Sequence, residues 1–178
     1  MRRALAIDEA SFGSNHPNVA RALNNLARLL QDTNRLAEAE PLYRRALAID
    51  EASFGPDHPN VARDLNNLAR LLQDTNRLAE AELLMRRSLA IDGPDHPDVA
   101  IDLNNLAELL QATNRLAEAE PPMRRHLAIF IDFERKTGYP HPHRDAALRN
   151  YAGLLAAMGK SAAEIKAAIA TLTPEGGA

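Results

Sequence analysis

The 178 residues are 46% hydrophobic but only 4% aromatic, and Ala and Leu alone supply 59 of them, a mixture that favours helix over strand. The absence of cysteine excludes a disulfide scaffold, a Cys-ligated zinc site and a thiol nucleophile. The formal charge of −3 is too small to point to nucleic acid or an anionic membrane as partner, and no apolar run approaches the length of a membrane span. Acids in Met1-Arg2-Arg3-Ala4-Leu5-Ala6-Ile7-Asp8-Glu9 stand where a signal peptide would need its apolar centre, so a soluble cytoplasmic protein is expected.

The chain repeats itself. Four blocks begin with His-Pro at His16, His58, His96 and His141, spaced by 42, 38 and 45 residues. The short interval arises because Ile91-Asp92 runs straight into Gly93-Pro94-Asp95, without the counterpart of Glu51-Ala52-Ser53-Phe54, a loss of about one helical turn. In chain order the expected organisation is half a repeat over 1–12, then repeats over 16–54, 58–92 and 96–137, a degenerate fourth repeat or cap over 141–172, and a loose tail over 173–178. Residues 1–12 match the back half of a second helix. A first helix to precede them is missing, so the chain is expected to be a fragment of a longer array, or to cover that face by self-association through residues 1–12.

Each unit splits into two helices. In the second, Pro59 suits the first helical position, with Asp57 or His58 as cap. Val61, Leu65, Leu68 and Leu72 then follow at helical spacing. Asn76 marks the end, where a residue tolerant of left-handed backbone is wanted; Gly159 is its counterpart in the fourth unit. The second helix carries Leu78, Ala81, Leu84 or Met85, Ser88, Leu89 and Ile91. Pro41 and Pro121 lie near the start of equivalent helices, and the pair Pro121-Pro122 is expected to delay or bend its own. In the fourth unit Ser161-x2-Glu164 offers a capping box.

The spacing Leu23-x2-Leu26-Ala27-x2-Leu30 followed by Ala39-x3-Tyr43-x2-Ala46 resembles the tetratricopeptide repeat, and it recurs as Leu65, Leu68, Ala69, Leu72, Ala81, Met85, Ser88 and as Leu103, Leu106, Ala107, Leu110, Ala119, Met123, His126. The long repeat and its Asp/Asn-His-Pro-x-Val-Ala start look like the kinesin-light-chain subfamily and its bacterial homologues. The resemblance implies an all-α, right-handed α-solenoid of stacked antiparallel helix pairs, with small residues where helices approach and large ones between them. It implies a scaffold that binds a peptide or protein in a concave groove lined by the first helices.

Candidate chemistry is sparse. Histidines repeated once per unit are set along a ridge instead of converging on one ion, so they read as helix-start residues, and His141-Pro142-His143 lacks an acidic third ligand for zinc. His126 replaces a small core residue and is expected to be a packed, hydrogen-bonded histidine. Glu38 with Glu40, and Glu80 with Glu82, point to different sides of a helix and make poor acid/base pairs. No phosphate loop, nucleophile elbow or His-Glu-x2-His is present, and no enzyme, cofactor or metal is expected.

The asparagines are more informative. Asn24-Asn25, Asn66-Asn67 and Asn104-Asn105 sit in mid-helix, where Asn has no propensity advantage, and Asn150 matches the second of each pair. At this position the family's Asn hydrogen-bonds the backbone of a bound peptide, so the resemblance implies that role for Asn25, Asn67 and Asn105; an asparagine ladder satisfying neighbouring helices is the alternative. One turn away on the same faces lie Arg21 and Arg28, Arg63 and Arg70, and in the third unit Ile101 and Glu108. The groove is therefore expected to be arginine-rich at its N-terminal end, fit for an acidic stretch of peptide, unless Arg28–Asp32 and Arg70–Asp74 neutralise each other.

Overall fold

The computed structural model describes residues 2–92 and 99–173, which contain helices joined by short turns and no strand. The chain forms two compact units, residues 1–96 and 97–178. The first unit contains α1 (Arg2–Phe12), α2 (Pro17–Asp32), α3 (Leu36–Phe54), α4 (Pro59–Asp74) and α5 (Leu78–Asp92). Each helix packs on the next, and α2 also touches α4. The second contains α6 (Val99–Ala112), α7 (Leu116–Thr137), α8 (Arg144–Ala157) and α9 (Ala162–Ala170), again packed in sequence.

The turn chemistry explains these boundaries. His16 and His58 cap α2 and α4: each ring Nδ1 accepts the N–H two residues on, Asn18 and Asn60, at 3.1 Å. Phe12 and Phe54 stack on the same rings with centroids 4.9 and 4.4 Å apart, tying each cap to the end of the preceding helix. His96, the corresponding residue of the third unit, lies outside the described residues, as do residues 174–178 of the expected tail. At the other end of the first helices Asn34, Asn76 and Asn114 take φ of 57°, 59° and 57°. This left-handed residue lets Arg35, Arg77 and Arg115 return their N–H groups to Leu30, Leu72 and Leu110, closing otherwise orphaned carbonyls.

Two helix starts differ from the simplest reading of the sequence. The Pro121-Pro122 pair does not delay α7, which begins at Leu116, the position equivalent to Leu36 of α3. Only bonds to carbonyls of the first turn are lost there, and Ala117 and Glu118, which carry them, are exposed, so the cost is small. In the fourth unit the helix does not follow His141-Pro142 directly: His143 caps α8 without a side-chain bond and the helix begins at Arg144. His141 Nδ1 still accepts the His143 N–H at 3.2 Å and its ring stacks 4.4 Å from Phe130, the same contacts that His16 and His58 make. The Ser161–Glu164 capping box does form at the start of α9.

Small residues allow close helix approach. Ala20, Ala27, Ala39, Ala46, Ala69 and Ala81 have no exposed surface. Val19, Ala20 and Leu23 of α2 pack with Ala46 and Ile49 of α3, and Leu5 and Leu42 close over this cluster. Where a small residue could leave a backbone carbonyl unsatisfied, a side chain bonds to it: Ser88 Oγ donates to Ala62 O at 2.8 Å, and His126 Nδ1 lies 2.7 Å from Ala100 O. His126 is thus the packed, bonded histidine expected. A carbonyl can only accept, so Nδ1 carries the proton, and burial lowers the imidazole pKa, favouring the neutral ring. On the outer side of the first unit Arg44 bridges Glu40 and Glu80 at 2.8 and 2.7 Å, and Arg77 bonds the same two acids.

Candidate functional site

The helical period places Arg21, Asn25 and Arg28 on one face of α2, and contact between α2 and α4 brings Arg63 and Asn67 opposite them. Together with Asn24 these five residues line a cavity of about 210 Å³. Arg21 and Arg28 are exposed, and among the described residues neither makes an ion pair. Arg70 is exposed one turn beyond Asn67 but does not line the cavity.

The expected neutralisation of Arg28 by Asp32 and of Arg70 by Asp74 does not close as ion pairs among the described residues. Asp74 instead accepts from Gln31 Nε2 at 2.6 Å, and Gln31 Oε1 accepts from the Tyr43 hydroxyl at 3.1 Å. This relay links α3, α2 and α4 beside the cavity. Burial pushes the Tyr43 phenol up to about 12, against the pull of Arg70 and Arg28, so it stays a neutral donor.

A pair of acids that sequence reasoning missed lies under the cavity. Asp50, at the end of α3, and Asp64, on α4, are 1% and 0% exposed. Arg63 Nη2 sits 3.4 Å from Asp50 Oδ2 and 3.3 Å from Asp64 Oδ1, and Asn24 Nδ2 donates to the same Asp64 oxygen at 2.8 Å. Burial pushes the Asp64 carboxyl up to about 7 despite Arg63, and raises Asp50 as well. The two asparagines of the first pair therefore differ: Asn24 is buried and ties α2 to α4, whereas Asn25 is exposed toward the cavity. Arg63, expected as a free cation of the groove, is shared between the cavity and the buried acids. One signal was available, since Asp64 falls three residues after Val61 and four before Leu68, on the apolar stripe of its helix.

In the second unit Asn105 lines a different cavity, about 260 Å³, formed by α6, α7 and α8 around Ile101, His126 and Phe130, with Asn104 and Asn150 also present. Glu108 lines a neighbouring cavity of about 300 Å³ with Arg149 and Asn150. Asn104 Nδ2 donates to Glu108 at 2.8 Å, so the two cavities share a polar rim. His141 and His143 lie 5.4 Å apart by ring centroid, and among the described residues no group of three or more His, Cys, Asp or Glu side chains could hold a metal. No helix among them is long and apolar enough to cross a membrane.

Comparison with known proteins gives the family context. A family model described as a tetratricopeptide repeat matches residues 1–52 and 29–92, and a second of the same description matches 103–130. No curated protein matches the sequence. Among solved structures, a Podosopora anserina protein described as a kinesin light chain with nearly identical TPR-like repeats is 25% identical, with a TM-score of 0.74 over 97% of this chain and 82% of that one. A point variant of it is 24% identical, with a TM-score of 0.75 over 97% and 81%. BtubC from P. vanneervenii is 22% identical, with a TM-score of 0.79 over 99% and 73%. The fold is thus an all-α solenoid of the kinesin-light-chain-like kind.

Proposed function

Because the chain belongs to the tetratricopeptide repeat family, whose fold serves as a scaffold for protein interactions, we propose that it is a non-enzymatic binding module. It takes an acidic peptide or protein segment on the first-helix face of its N-terminal unit. The observation that carries this reading is the α2–α4 cavity, in which Arg21 and Arg28, without acidic partners among the described residues, flank Asn25 and Asn67. Guanidinium groups take carboxylates in a forked geometry, and each asparagine amide offers both donors and an acceptor to a peptide backbone. Arg70 extends the cationic face of the first unit, and in the second unit Asn105 and Glu108, each lining a cavity of its own unit, are the corresponding groove candidates.

A peptide-array screen tests this. Binders rich in Asp and Glu are expected, and Arg28→Ala or Asn67→Ala should weaken them about 10- to 100-fold, the cost of a lost hydrogen bond to a charged or desolvated group. Binders that neither change weakens would place the ligand elsewhere.

A further inference from the structure

The arrangement beneath the cavity holds more than a static ion pair. Each buried acid has one engaged oxygen and one without a donor: Asp50 Oδ2 faces Arg63 and Asp64 Oδ1 faces Arg63 and Asn24, while Asp50 Oδ1 and Asp64 Oδ2 have no hydrogen-bond partner. The two carboxyl side chains face the same guanidinium nitrogen, Arg63 Nη2, at 3.4 and 3.3 Å. Two full charges on one guanidinium nitrogen in a site closed to solvent repel, and one proton on either free oxygen relieves the repulsion. With one proton the trio Asp50, Asp64 and Arg63 is neutral; without it the trio carries one negative charge, directly under the cavity.

We propose that Asp50 and Asp64 share one proton, and that its release draws Arg63 onto the pair and sets a negative charge beneath the groove, so that the site holds carboxylate ligands more weakly as pH rises. This rests on the acidic-peptide reading above and adds its regulation. The groups facing the pair are few: Arg63 and Asp64 from α4, Asp50 from α3, Asn24 from α2, and the cap His58, whose charge also acts on Asp50. Burial, which raises both carboxyls, puts the transition near neutral pH. By linkage, a carboxylate that engages Arg63 raises the proton affinity of the pair, so binding takes up a proton.

Two measurements test this on the full chain. Carbon-13 NMR of the aspartate carboxyls should show one proton leaving the pair near neutral pH, with the Arg63 Nε resonance moving at the same midpoint, and Asp64→Asn should remove both. Both acids titrating below about pH 5, or an unresponsive Arg63, would overturn the shared proton. Second, a fluorescein-labelled hexaglutamate peptide at constant ionic strength should bind about three- to tenfold more weakly at pH 8.5 than at pH 6, the effect of one added charge at this range. The Asp64→Asn protein should lose this dependence, while His58→Asn, which keeps a good cap, should retain it. Dependence abolished by His58→Asn instead would overturn the gate in favour of histidine. If the peptide binds at no pH, the acidic-peptide reading falls and the gate with it, while the NMR titration still decides whether the proton is shared.

Discussion

Replacing Leu23 with alanine is expected to destabilise the protein by about 2–5 kcal/mol, whereas the same replacement at Leu83 should change stability by less than about 0.5 kcal/mol. Leu23 has no exposed surface and lies in the cluster of Val19, Ala20, Ala46 and Ile49, under Leu5 and Leu42. Truncation forfeits the transfer energy of the side chain and leaves a cavity that alanine neighbours, lacking rotamers, cannot fill. Leu83 is 67% exposed on α5 and has little packing to lose. Urea denaturation of both variants makes the comparison at constant chemistry. Equal losses at the two sites would contradict the assignment of the α2–α3 seam as the core of this unit.

Asp64→Asn is expected to stabilise the protein above neutral pH and to flatten its pH dependence. The folded-state carboxyl is raised from 3.8 to about 7. Below about pH 4 both folded and unfolded chains are protonated and the full stability is present. As pH rises through this interval the unfolded chain releases its proton first, the native state holds more protons, and stability falls by up to roughly 1.4 kcal/mol per pH unit. Asp50 shares the titration, so the total is on the order of 2–4 kcal/mol, reached above about pH 7 and constant thereafter. An asparagine imitates the protonated acid: its carbonyl can accept from Asn24, and it carries no charge to bury. Thermal denaturation from about pH 4 to pH 8 should show the wild type falling and the variant level. A variant less stable than wild type by the same margin at both ends would mean that Asp64 is ionised and usefully paired throughout.

What the sequence disclosed follows from how local each signal is. The ends of the first helices were legible because Asn34, Asn76 and Asn114 answer a purely local demand for left-handed backbone. The histidine caps and the alanine contact positions were legible for a similar reason, since each recurs at a fixed place in the repeat. The face presenting Arg21, Asn25, Arg28, Arg63 and Asn67 followed from helical period together with the family pattern. The acid pair was not found, because an aspartate reads as exposed until a neighbouring helix covers it, and here the cover comes from residues as far away as Asn24. The same blindness made Arg63 look unengaged. The fourth unit misled for the opposite reason: its His-Pro copies the motif and His141 makes the same bond and aromatic stack as His16 and His58, yet α8 starts two residues later, at Arg144.

The central claim is that the α2–α4 face of the first unit receives a carboxylate-rich segment. The most direct measurement is a side-chain nitrogen-15 NMR titration of the full chain with hexaglutamate, at a pH on the acidic side of the Asp64 transition. The side-chain amides of Asn25 and Asn67 and the Nε resonances of Arg21 and Arg28 are predicted to shift together and saturate at one peptide per chain. Arg44 and Arg77, already bridged by Glu40 and Glu80, should stay still. Shifts at Arg44 and Arg77 with Asn25 and Asn67 unmoved would contradict the account.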